Sequence, residues 1–221
     1  LYVRDEESGK VFCPWGAPAP TPVEDRSCRY YPAKTVIQGT CDGLRVTQRV
    51  FVPKDLLLGE IWTVQVENLT DRPRKISLFG YAMFQLNGKG AEGETVWKDN
   101  YALVHPDSNA VIAYNRNAHV PSDRFKGYMM ALKDYAGGTG YRDHFTRSDF
   151  GYGTPRIMWG WNADNKPGFG PDCCGLVQVK ATIPAGGTYR ADFILGQTTG
   201  PEETARIHSE LSEEKIDAIY Q

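Results

Sequence analysis

Two short runs hold the side chains best suited to recognising a sugar. Trp97-Lys98-Asp99-Asn100-Tyr101 sets aromatic rings beside a carboxylate, an amide and an ammonium group. An indole face stacks on the apolar face of a pyranose, while Asp, Asn and Lys hydrogen-bond its hydroxyls. Trp159-Gly160-Trp161-Asn162 is the second run. If it is extended, Trp159 and Trp161 share a face and form either a ligand platform or a buried stripe. The competing explanation for both runs is a sandwich core filled by aromatics, and it carries more weight because such cores are rich in them. A catalytic carboxylate pair can be sought among Asp134, Asp143, Asp149, Asp164 and Asp172, but Asp is also a common turn residue and the turn reading is the stronger. His105 and His144 lack neighbours at metal-ligand spacing, which argues against a metal site. Arg29, Arg142 and Arg147 are cations that could meet carboxylates of a neighbouring domain, though exposed arginines usually contribute little.

Composition narrows the partners. The 221 residues carry a formal charge of -2, so no basic stripe invites a nucleic-acid backbone or an anionic membrane. No apolar run approaches the roughly 18 residues that span a bilayer, and Leu1-Tyr2-Val3-Arg4-Asp5 is neither an initiator methionine nor a secretory leader, so the start reads as a cut. The five cysteines are odd in number and none are spaced for zinc, as expected of a reduced, cytoplasmic protein. Adjacent Cys173 and Cys174 would point to opposite faces of a strand, so a disulfide between them is disfavoured. Asn68-Leu69-Thr70 matches a glycosylation acceptor but reads as turn chemistry.

Strand patterns dominate until the last twenty or so residues. Residues 35–40 and 44–52 flank Asp42-Gly43, the dipeptide of a primed hairpin turn, and Leu44, Val46, Val50 and Val52 share one parity. Residues 60–67 and 74–86 read as a second hairpin around Asn68–Pro73. Weaker strands are expected at 101–105, 110–114 and 128–133, and residues 168–175 read as a loop. Residues 176–183 and 188–195 read as a further hairpin around Pro184-Ala185-Gly186-Gly187. Many antiparallel strands with no helices between them indicate an all-β fold, a large antiparallel β-sandwich. Thr199-Gly200-Pro201-Glu202-Glu203 starts a helix with apolar Ile207 and Leu211, and Ser212-Glu213-Glu214 caps a second containing Ile216, Ile219 and Tyr220. The chain stops inside that second helix, which suggests that it continues into something that buries its apolar side.

Several runs, in order, resemble glycoside hydrolase family 94, which contains the cellobiose, cellodextrin, laminaribiose and chitobiose phosphorylases. They are Leu1–Phe12 with Cys13-Pro14-Trp15, Asp42-Gly43-Leu44-Arg45, Val50-Phe51-Val52-Pro53, Glu60-Ile61-Trp62, Asn68–Arg74, Leu78-Phe79-Gly80-Tyr81, Pro184–Gly187, Phe193–Gly196 and Glu202–Ala205. The middle, from about Gly88 to Gly175, diverges. The family's early Cys-Arg-His-Gly stretch survives here only as Cys28, Arg29 and Thr35.

The resemblance implies a super-sandwich of galactose-mutarotase-like type over residues 1–198, and over residues 199–221 the start of a helical linker to an (α/α)6 catalytic barrel. It implies inverting phosphorolysis in the intact parent: a barrel aspartic acid protonates the glycosidic oxygen while inorganic phosphate attacks, so one carboxyl suffices. No residue of this chain takes that acid role. The expected function is scaffold, homodimerisation and cleft edge of a phosphorylase acting on β-linked gluco-oligosaccharides. No cofactor is expected, phosphate being the co-substrate. Trp97, Lys98, Asp99, Asn100, Trp159 and Trp161 are the expected sugar contacts, and Arg29 an interface residue. The alternative is a free-standing carbohydrate-binding sandwich using Trp97, Trp159 or Trp161.

Overall fold

A computed structural model describes residues 1–54, 59–86, 99–116, 126–147 and 151–220. Two antiparallel sheets pack face to face. The larger runs in spatial order β12 (Gly168–Phe169), β8 (Asn100–His105), β9 (Ala110–Asn115), β10 (Lys126–Ala131), β14 (Thr188–Thr198), β6 (Glu60–Asn68), β5 (Leu44–Phe51), β4 (Lys34–Cys41) and β3 (Glu24–Tyr31). The smaller runs β11 (Tyr135–Tyr141), β13 (Cys173–Ile183), β7 (Arg74–Met83), β1 (Tyr2–Asp5) and β2 (Val11–Phe12). The all-β sandwich expected from the alternating pattern is the observed fold.

Local chemistry decides some connections and not others. Asp42 (φ 51°) and Gly43 (φ 77°) both take positive φ, and Cys41 pairs with Leu44, so β4 and β5 form the tight hairpin that Asp-Gly predicts. The other two expected hairpins are corrected. β6 pairs with β5 and β14 while β7 pairs with β1 and β13, so Asn68–Pro73 carries the chain from the larger sheet to the smaller. The turn between β13 and β14 carries it back. A two-residue loop forces its strands to pair, whereas these longer turns reach across the sandwich, and strands on opposite sheets alternate just as paired ones do. Residues 173–175, read as loop, already belong to β13.

The inner faces meet through Val46, Val64, Val66 and Phe193 on one side and Ile76, Leu78, Val177 and Val179 on the other. The outer face of the smaller sheet is also apolar at Tyr2, Phe79 and Leu176, and it is covered by Phe145 of α1 (Arg142–Thr146) and by Ile157. The outer face of the larger sheet presents Phe51, Ile61, Ile112, Tyr128 and Ile194 to Ile207 of α2 (Pro201–Glu210) and Ile216 of α3 (Glu213–Tyr220). The two short helices form as expected, and Ile207 and Ile216 of their apolar side pack on the sandwich. Ile219 stays exposed.

All five cysteines are free thiols. Cys173 faces the inter-sheet core and Cys174 the opposite face, so strand pleating separates the adjacent sulfurs. Burial, with Asp172 nearby, pushes the Cys173 thiol up to about 12.

At the α2 start Glu203 reaches back over the N-terminus to Thr199, just before the Gly200 N-cap. The Glu203 carboxylate accepts the Thr199 N–H (2.6 Å) and the Thr199 hydroxyl (2.9 Å), and these hydrogen bonds hold its carboxyl below the ordinary glutamate value. A carboxyl with a lowered folded pKa stabilises at neutral pH and loses that contribution as the pH falls through the folded pKa. Glu203→Gln is therefore expected to lower the melting temperature by a few degrees at neutral pH. The difference should vanish in acid well below the ordinary glutamate value of 4.5, and thermal melts across pH would show it.

Candidate functional site

The Trp159 region is built outward from Arg4. This side chain projects from β1 onto the outer face of the smaller sheet and is only 2% exposed. Its guanidinium donates to the carbonyls of Ile157 (3.1 Å) and Trp161 (2.6 Å), to Asn162 Oδ1 (2.7 Å) and to Glu6 Oε1 (2.8 Å), and it lies 5.2 Å from the Phe79 ring centroid. Gln178 of β13, fully buried, adds a second fastening. Its Nε2 donates to Asn162 Oδ1 (2.8 Å) and Ser77 Oγ (3.0 Å), and its Oε1 accepts the Ala163 N–H (2.9 Å). The segment 157–163 is thus bolted to β1 and β13 by side chains.

On this mount Trp159 stands at the surface, 61% exposed, whereas Trp161 is half-buried and tilts over Phe145 at 6.4 Å. Arg156–Trp159 is a 3-10 turn and Gly160 takes φ 79°, so the two indoles do not sit on one face of an extended strand. They do border one open depression of about 310 Å3, together with Arg147, Arg156 and Gly160.

The other sequence candidates lie apart. Trp97 and Lys98 fall outside the described residues. Asp99 gives its carbonyl to the Arg116 N–H (3.0 Å), and Asn100, 2% exposed, has its side-chain amide 2.9 Å from that of Asn115. Tyr101 stacks on Tyr114 at 4.8 Å, beneath the Arg116 guanidinium. Arg29 is exposed on β3, at the margin of the larger sheet.

The candidate carboxylates are held by structural partners. Asp143 and Asp172 pair with Arg142, Asp164 with His144 Nδ1 (2.8 Å), and Asp134 accepts the Tyr189 hydroxyl (2.9 Å); Asp149 lies outside the described residues. Among the described residues no cluster of His, Cys, Asp and Glu could hold a metal ion, and no helix is long and apolar enough to cross a membrane. Asn68 spends its amide nitrogen on the carbonyls of Arg72, Ile183 and Pro184, which is turn chemistry.

One concavity was not anticipated from sequence. At the margin of the inter-sheet core, Ile37, Gln48, Val50, Glu60 and Trp62 from β4, β5 and β6 join Trp15 around a hollow of about 270 Å3. The signal was present in β5, where Gln48 interrupts the apolar parity of Leu44, Val46 and Val50.

A nine-stranded sheet on a five-stranded one, with helices on the outer face of the larger, defines a super-sandwich. The model of the glycosyl hydrolase 94 supersandwich domain matches residues 1–214, and the chain belongs to that family. The N,N'-diacetylchitobiose phosphorylase of Vibrio furnissii is 26% identical over 228 residues, covering 100% of this chain and 28% of its own length. The cellobionic acid phosphorylase of Neurospora crassa is 34% identical over 142 residues, covering 61% of this chain and 16% of its own length. The chain therefore spans little more than a quarter of the curated relatives that match it throughout. A putative kojibiose phosphorylase from the human microbiome superposes with a TM-score of 0.55 at 7% identity, over 99% of this chain and 26% of that one, a likeness of fold.

Proposed function

We propose that this chain is the non-catalytic scaffold of an inverting glycoside phosphorylase acting on β-linked gluco-oligosaccharides in the cytoplasm, with inorganic phosphate as co-substrate. Residues 1–198 are the sandwich and residues 199–221 begin the linker to an (α/α)6 barrel that supplies the acid and the phosphate pocket. The observation that carries this reading is the family match over residues 1–214. The engagement of Asp134, Asp143, Asp164 and Asp172 in structural contacts agrees with it. The segment 97–101 lends contacts at the cleft edge, and Arg29 on β3 faces a second copy in a homodimer. The exposed indole of Trp159 favours a second reading, a carbohydrate-binding surface that works without a barrel.

The 221-residue chain, incubated with cellobiose or diacetylchitobiose and phosphate, is expected to release no sugar 1-phosphate. A full-length form with a barrel should release it with inverted anomeric configuration. Phosphorolysis by the chain alone overturns the scaffold reading.

A further inference from the structure

The depression beside Trp159 holds charge as well as indole. Its described lining is Arg147, Arg156, Trp159, Gly160 and Trp161, two guanidinium groups and no carboxylate. Glu6 and Asp164, carried by the same assembly, are engaged elsewhere: Glu6 accepts from Arg4 and Ser77, and Asp164 pairs with His144. Arg156 is half-buried, and among the described residues its guanidinium makes no ion pair and donates no hydrogen bond. Arg147 closes α1 at φ 53° and ψ 140°, a backbone region that a residue with a Cβ rarely adopts and that glycine takes freely. An arginine held there in place of glycine adds a cation to the lining. The indoles are fixed in advance, because Arg4 holds the Trp161 carbonyl, Phe145 lies under the Trp161 ring, and Gly160 at φ 79° turns the chain between the two tryptophans. A site already ordered loses little further entropy when a ligand arrives.

This combination selects a chemical class. Guanidinium groups bind carboxylate or phosphate through paired N–H donors, and an indole receives the apolar face of a pyranose. Side by side they suit a sugar ring that bears an anion. At about 310 Å3 the depression lies at the small end of ligand sites, which run from about 300 to 1,000 Å3, so it takes one or two rings and leaves the rest of a longer chain in solvent. The attraction is local: with a formal charge of -2 over the whole chain, a long polyanion such as a nucleic acid finds no basic stripe to follow.

Building on the reading of Trp159 as a carbohydrate surface, we infer that the depression lined by Arg147, Arg156, Trp159 and Trp161 is a binding site for an acidic saccharide, one whose ring carries a carboxylate or a phosphate. Arg156 and Arg147 take the anion and the exposed indole of Trp159 takes the ring. The site does not depend on a barrel or on phosphorolysis.

The test is a heteronuclear NMR titration of the 221-residue chain that follows the Trp159 indole N–H, assigned with W159F. The ligands are a glucuronyl-glucose disaccharide, glucose 6-phosphate, cellobiose and inorganic phosphate. The acidic disaccharide or the sugar phosphate is expected to bind with a dissociation constant of about 1 mM, and the tighter of the two identifies the anion; cellobiose should bind about tenfold more weakly or less. R156Q should bring the acidic ligand down to the level of cellobiose, and W159A should weaken both about tenfold or more. Because Arg156 makes no ion pair among the described residues, R156Q is expected to hold the melting temperature, which separates recognition from folding. Added salt should weaken the acidic ligand and leave cellobiose unchanged. Cellobiose bound as tightly as both acids, or acid binding that R156Q leaves intact, overturns the acidic assignment while the carbohydrate-surface reading stands. Inorganic phosphate bound as tightly as glucose 6-phosphate, with no binding of the disaccharide, overturns the assignment too, since the ring would then add nothing. A Trp159 signal that no sugar shifts overturns the site and the carbohydrate-surface reading together.

Discussion

Asp5→Ala is expected to lower the unfolding free energy by about 3 kcal/mol, because it leaves the buried Arg74 guanidinium with only the distant, half-exposed Asp42 carboxylate at 3.8 Å. Arg74 and Asp5 are 2.8 Å apart, with side chains 2% and 4% exposed. Arg74 also donates to the Asp42 carbonyl (2.8 Å), so the pair ties β1 and β7 of the smaller sheet to the hairpin turn of the larger. Burial pushes the Asp5 carboxyl up, but hydrogen bonds from Ser8, the Glu7 N–H and Arg74, with the guanidinium charge, outweigh it and hold the pKa below the ordinary value of 3.8. The carboxyl's contribution is therefore complete above that value and lost as the pH falls through the lower folded pKa. Urea unfolding at neutral pH measures the loss, and a cost under about 1 kcal/mol would mean that Arg74 finds another partner.

Arg4→Met is the second large effect, with an expected loss of about 3–5 kcal/mol. Methionine keeps much of the packing against Phe79 but abandons the Ile157 and Trp161 carbonyls and one of two donors to Asn162. Its consequence should be local as well as global. Hydrogen exchange is expected to quicken across residues 157–163 more than in β6 or β14, which share no contact with Arg4. Equal protection of 157–163 in both proteins would show that Gln178 alone holds the segment, and Gln178→Leu would then be the damaging change.

The sandwich could be read from its strands because one rule, alternation, reports burial of a face, and the Asp42-Gly43 turn reports pairing directly. The layer to which each strand belongs was hidden. Val64 and Leu78 alternate with polar neighbours in the same way whether their strands are paired or stacked, so β6–β7 and β13–β14 looked like hairpins. The short β1 and β2 carry too few residues to show a period, and β11, with three glycines and one threonine among its seven residues, shows no apolar alternation. Sugar recognition was sought among tryptophans close in sequence. Trp159 did prove exposed, whereas the hollow beside Trp15 draws on five separate segments, a juxtaposition that only folding creates. Gln48 was its one visible trace, a polar residue where a buried side chain was due.

The Asp42-Gly43 turn, the 68–73 turn and the 184–187 turn gather at one end of the sandwich and are bonded to each other. The Leu69 N–H donates to the Gly43 carbonyl (2.8 Å), the Asn68 N–H to Gly187 (2.9 Å) and the Gly186 N–H to Thr70 (3.2 Å). That end is a sewn hem with the 68–73 turn as its middle thread, where an inserted residue would pull out the stitches to the other two. Strands β7 and β9 finish at the opposite end, at Met83 and Asn115. Diversification of the domain is thereby steered to one rim: new loop lengths, fusions and specificities can be tried there without loosening the seam that joins the sheets.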